Sequence, residues 1–68
     1  MNKIKINTEI IKLDAFLKWA AVVSSGSEAK IYIQDGLVKV NNEICIQRGK
    51  KLKVGDIINF HDSEFEII

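Results

Sequence analysis

Residues able to act as nucleophile, base or metal ligand are few in this sequence and do not form sets. His61 is the only histidine and Cys45 the only cysteine. Neither has a sequence partner with which to build a nucleophile, a base and an orienting third group. His61-Asp62-Ser63 reads as a turn, where a solvent-exposed histidine is the ordinary state. Cys45 alternates with Ile44 and Ile46, so strand packing is its expected role, and a metal site would need further ligands at ligand spacing. No glycine-rich phosphate loop occurs. Catalysis is therefore not expected, and neither a cofactor nor a bound metal.

The basic residues fall in a more informative pattern. Lys30 stands in the first turns of a helix whose free N–H groups attract phosphate, and Ser24, Ser25 and Ser27 surround that helix start with short donors. Arg48, Lys50 and Lys51 share one loop with Gly49, which permits close backbone approach. A helix N-terminus beside a basic loop suits a phosphate backbone, and Lys30, Arg48, Lys50 and Lys51 are then expected on one face. The competing reading is a lysine-rich loop that only keeps the chain soluble. Trp19 and Tyr32 are candidates for base stacking. Both lie near the apolar faces of their helices, however, and core or half-buried packing is expected for each.

The elements that must hold these residues are legible from period. Lys3 to Ile6 alternates as a strand, and Asn7-Thr8-Glu9 breaks it. Leu13, Phe16, Leu17, Ala20 and Val23 recur at helical spacing, which predicts a helix over 13–22. Ser25-Gly26-Ser27-Glu28 is a capping box, in which Glu28 reaches back to the cap's own N–H. Ala29, Tyr32 and Ile33 share the face that follows, and Gly36 supplies the left-handed stop. The period then falls to two. Leu37 to Val40 and Glu43 to Ile46 flank Asn41-Asn42, a pair suited to a tight hairpin turn. Gln47 to Lys51 reads as a basic loop and Val54-Gly55-Asp56 as a turn. Ile57 to Phe60 and Glu64 to Ile68 read as strands. The order predicts an α+β domain, with a two-helix hairpin packed on a small, mostly antiparallel sheet.

Length and charge bound what such a chain does. Its 68 residues suffice for one domain and no more, and a chain this small buries only about 60% of the surface its unfolded form exposes. Such a chain has little room for a deep catalytic pocket, whereas a binding module fits. Apolar residues at 47% and charged residues at 28% fit a globular chain. A lone cysteine forms no internal disulfide, which favours a reducing compartment. The charged amino terminus is followed by no apolar signal region, and no run approaches the ~20 apolar residues of a membrane span. A cytoplasmic monomer is expected. The net charge of +1 conceals segregation: residues 18–53 carry seven bases against three acids, and residues 54–68 carry four acids and no base.

The ordered set Leu13-Asp14, Leu17, the serine turn, Glu28-Ala29-Lys30, Ile33, Gly36, Val38, Val40-Asn41 and Gly55-Asp56-Ile57 resembles the S4 RNA-binding domain family. Residues of about 12–60 carry the likeness, so nearly the whole of 1–68 is one S4-like domain. Phe16-Leu17-Lys18, Ser25 to Lys30 and Arg48 to Leu52 are most similar to the free-standing bacterial YaaA/YbcJ group. The resemblance implies an αL-type fold that reads structured RNA through its second helix, the preceding turn and neighbouring loops. Carried over residue by residue, it points to Lys12, Ser25, Ser27, Lys30, Arg48, Lys50 and Lys51. Lys12 stands where many members carry arginine, which keeps the charge and loses the bidentate fork. Gly26 replaces an arginine often found after the turn serine, and Asn42 replaces a turn glycine.

The expected function is non-catalytic binding of structured RNA, ribosomal RNA or a ribosome-assembly particle, mainly through phosphates. One alternative is a protein-interaction adaptor that uses the acidic tail or a sheet edge for a protein partner. Another is a helix-turn-helix DNA binder, weakened because the second helix offers Lys30 and Gln34 but no arginine for base edges.

Overall fold

The computed structural model describes residues 1–68, and its elements follow the change of period along the chain. Strand β1 is Asn2–Ile4, β2 is Ile10–Lys12, helix α1 is Leu13–Trp19 and α2 is Gly26–Gln34. Strands β3 (Val38–Val40), β4 (Glu43–Ile44), β5 (Lys51–Lys53), β6 (Ile57–Phe60) and β7 (Ser63–Ile67) complete the order. Five strands form one sheet in the order β1-β7-β6-β3-β4, antiparallel except for the parallel β1–β7 pair. β2 and β5 form a separate antiparallel ribbon.

Both helices bury the faces their spacing dictates. Leu13, Phe16 and Leu17 of α1 and Ala29 and Ile33 of α2 are buried with Val38, Ile58, Phe65 and Ile67 of the sheet and Leu52 of the ribbon. Phe16 meets Phe65 edge to face at 6.3 Å between ring centroids, an arrangement that suits the ring quadrupoles and joins α1 to β7. The hairpin turn forms as its residues require: Asn41 and Asn42 take φ of 52° and 70°, the signs of a type I′ turn. His61 turns the β6–β7 hairpin at φ 55° and is exposed. Tyr32 is half-buried against Phe60, with ring centroids 5.0 Å apart.

Four expectations are corrected. Helix α1 stops at Trp19 rather than running to residue 22. The Ala21 amide donates to the Lys18 carbonyl and the Val22 amide to the Leu17 carbonyl, at 3.0 and 3.1 Å. This is a Schellman closure, and it puts Ala21 at φ 60°, the position that usually takes glycine. Second, the return strand of the hairpin is only Glu43–Ile44. The Cys45 amide still donates to Val38, but the chain then turns away, leaving Ile44 and Ile46 exposed and Cys45 partly buried. Third, Trp19 is 54% exposed, because its indole N–H reaches out to the Lys5 carbonyl at 2.8 Å instead of turning into the core. Fourth, Ile10–Lys12 and Lys51–Lys53 pair as strands, although each is too short to display a period.

Asp56 departs furthest from a reading as part of a solvated acidic tail. It is the one buried charged residue, 6% exposed. Its carboxylate accepts from the Lys53 amide at 3.0 Å, from Asn41 Nδ2 at 3.1 Å and from Lys53 Nζ at 3.3 Å. Asn41 Oδ1 in turn accepts from the Ile57 amide. Burial by itself would raise the Asp56 pKa. The Lys53 amide, the Asn41 amide and the Lys53 charge outweigh it and hold the carboxyl below its ordinary 3.8.

Two outcomes follow from this packing. Ala21→Gly relieves an L-residue of the left-handed region while freeing the unfolded chain. It should stabilise by about 0.5–1 kcal/mol, seen as a melting temperature ~2–6 °C higher; an unchanged or lower value contradicts the closure. Asp56→Asn should destabilise by about 1–3 kcal/mol at neutral pH by weakening a buried charged acceptor. Because the folded pKa is depressed, the carboxylate's contribution is fully present above the unfolded value and is lost as pH falls through the folded one. Melts of both proteins at falling pH should therefore converge below pH 3.8, and a gap that ignores pH would overturn this role.

Candidate nucleic-acid interface

The start of α1 explains how the basic residues are positioned. Lys12 is its N-cap residue, in an extended conformation, and supplies no side-chain cap. Helix starts leave amides without partners, and here the basic loop supplies them. The Leu13 amide donates to the Lys50 carbonyl at 2.9 Å and the Asp14 amide to the Arg48 carbonyl at 3.1 Å. Residues 48–50 are thus docked by their backbone, while the side chains of Arg48 and Lys50 remain exposed.

The ribbon adds two more cations. In the β2–β5 register Lys12 lies directly opposite Lys51, with the buried Leu52 opposite Ile11 on the other face. Directly opposed residues of an antiparallel pair approach to ~4.5–5.5 Å between Cα atoms, and like charges there repel. Neither lysine has a carboxylate partner. Lys53, paired with Asp56 at 3.3 Å, is the only lysine or arginine in an ion pair. Lys12 and Lys51 are thus opposed on the exposed face of the ribbon, and the Arg48 and Lys50 backbones are docked on the first turn of α1, which also carries Asp14.

Ser25, Ser27 and Lys30 belong to another element. Ser25 is the N-cap of α2, its hydroxyl accepting from the Glu28 amide at 3.2 Å. Glu28 reaches back one residue further than a capping box requires: its carboxylate takes the Ser24 amide at 3.0 Å, not that of Ser25. Ser27 and Lys30 are exposed on the first turns, and no side-chain bond ties them to the rest. The turn at 20–25 leaves α1 at the end opposite the basic loop, and no side-chain hydrogen bond joins the two groups. No hydrogen bond links α2 to the 47–51 segment.

Sequence reasoning missed the frame beneath these side chains. Asn41, Lys53 and Asp56 fix the ends of β3, β5 and β6; Asn41 and Asp56 stand in the ordered motif, but no sequence signal joins them to each other or to Lys53. No group of histidine, cysteine and carboxylate side chains capable of holding a metal is present. No helix is long and apolar enough to cross a membrane.

Known proteins resemble this chain in sequence and in fold. The "Probable ribosome maturation protein RlbA" of Bacillus subtilis (strain 168) is 41% identical over 68 residues, covering 98% of this chain and 96% of that protein. The crystal structure of the 30S ribosomal protein S4e from Thermoplasma acidophilum superposes with a TM-score of 0.66 at 17% identity, and so shares the fold. That match covers 88% of this chain, which spans only 32% of the S4e protein. The family model described as S4 domain matches residues 4–68. With two helices on a mostly antiparallel mixed sheet and that match along nearly its full length, the chain belongs to the S4 domain family.

Proposed function

We propose that this protein binds structured RNA of the ribosome or of a ribosome-assembly particle, without catalysis, as a cytoplasmic monomer. One observation carries the reading. Lys12 and Lys51 face each other across the ribbon with Arg48 and Lys50 beside them, and none of the four has an acidic partner. A small domain gains nothing in stability from like charges in register, whereas a phosphate backbone would neutralise them and release counterions. The similarity to a ribosome maturation protein supports the same reading. The start of α2, with Ser25, Ser27 and Lys30, is the second part of the interface.

The proposal fixes how the contacts respond to salt. Affinity for a ribosomal RNA hairpin should fall steeply as salt rises. Replacing Lys50 and Lys51 by alanine should weaken binding and reduce the salt slope by up to roughly two units. Stability should hold, because exposed lysines contribute little and one member of the Lys12–Lys51 repulsion is gone. Equal slopes would remove this loop from the interface. No binding at low salt would make a protein-interaction adaptor the better reading, and equal affinity for duplex DNA would argue against readout of RNA shape.

The α2 end is tested by a pair of serines with different structural duties. Ser25→Ala should cost about 1 kcal/mol of stability by orphaning the Glu28 amide. Ser27→Ala should leave the melting temperature unchanged. Weaker RNA binding by Ser27→Ala identifies a contact; unchanged binding removes this helix start from the interface.

A further inference from the structure

A cleft lies beside the basic loop, between the β3–β4 hairpin and the segment that leaves it. Its volume is about 440 Å³, and its lining includes Ile44, Cys45, Ile46, Gln47 and Lys50 together with one carboxylate, that of Glu43 on the hairpin side. That volume is within the ~300–1,000 Å³ of small-molecule sites. Ile44 and Ile46 are 62% and 61% exposed, an apolar surface that does no work in the core. The rim is preformed, since both ends of the Asn41 side chain are engaged, with Asp56 and with the Ile57 amide.

The backbone of this segment is unusual. The amides of Ile46, Gln47, Arg48 and Gly49 have no acceptor anywhere in the chain, while the Cys45 and Lys50 amides on either side do. The Gln47 side chain is likewise unengaged as donor or acceptor. Free N–H groups next to a lysine are donors open to an anion.

We propose that this cleft takes one unpaired nucleotide of the bound RNA. Its phosphate sits on the loop amides and Lys50, and its base lies against Ile44 and Ile46 with its polar edge toward Gln47. Unstacked bases offer both a flat apolar face and a hydrogen-bonding edge, which are the two surfaces the cleft presents. The inference rests on the RNA-binding reading and adds to it a site that discriminates a base, where the cation cluster senses only charge.

Amide chemical-shift titrations of the ¹⁵N-labelled protein with AMP, GMP, CMP and UMP test the cleft directly, with inorganic phosphate as the reference ligand. Nucleotides should shift the amides of residues 44–50 saturably, with base-dependent millimolar affinity, and phosphate should move only the loop amides. Replacing Ile44 and Ile46 by alanine, both exposed and so harmless to folding, should weaken binding to a ribosomal RNA hairpin with a bulged nucleotide roughly tenfold. It should leave the salt slope intact, the opposite of the Lys50/Lys51 change. Identical shifts from phosphate and nucleotides, or wild-type RNA affinity in the isoleucine double variant, would overturn the cleft while leaving RNA binding in place. Base-dependent nucleotide shifts in a protein that binds no structured RNA would keep the cleft and overturn the wider reading.

Discussion

The buried carboxylate of Asp56 is the constraint on which the rest of the molecule depends. It joins the turn after β3, through Asn41, to the end of β5, through the Lys53 amide and ammonium. Its backbone carbonyl accepts from the Ile67 amide of β7. A buried charge without partners is costly, so this one is tolerable only with all of its donors in place. That requirement fixes the ends of three strands at one point. Stability and the placement of the basic ribbon are therefore set by the same group.

A second dependence is reciprocal. Helix α1 lacks a side-chain cap, and the carbonyls of Arg48 and Lys50 satisfy its first amides instead. The helix start anchors the loop, and the loop completes the helix. Because only backbone is consumed, the cationic side chains stay free. Register then sets Lys12 against Lys51. The register thus sets two like charges in opposition, an arrangement that costs stability.

Much of the fold could be read because it is local. The helical face of Leu13, Phe16 and Leu17, the Ser25 cap, the left-handed stop at Gly36 and the Asn41-Asn42 turn each involve residues within a few positions of one another. Those readings hold, with Gly36 at φ 76°. The end of α1 was not legible, because an alanine rather than a glycine takes the left-handed position. Trp19 carries the spacing of a core residue, yet a hydrogen bond to the Lys5 carbonyl just beyond β1 directs it outward. Asp56 is marked out by the Gly55-Asp56-Ile57 motif, but its burial, in contrast to the exposed Asp62, comes from donors of which one belongs to a distant turn.

The candidate site divides in the same way. The sequence by itself determined which residues carry positive charge and the ordered motif of the S4 domain family. Tertiary structure alone decided that Lys12 stands beside Lys51 and that the loop carbonyls cap α1. It also decided that four successive amides are left without partners beside a cleft. The physical reason is range. Periodicity, caps and turns are written in neighbouring residues, whereas strand register and helix-to-loop docking join segments far apart in the chain, and those pairings form only when a shared core closes around Leu13, Leu52 and Ile58.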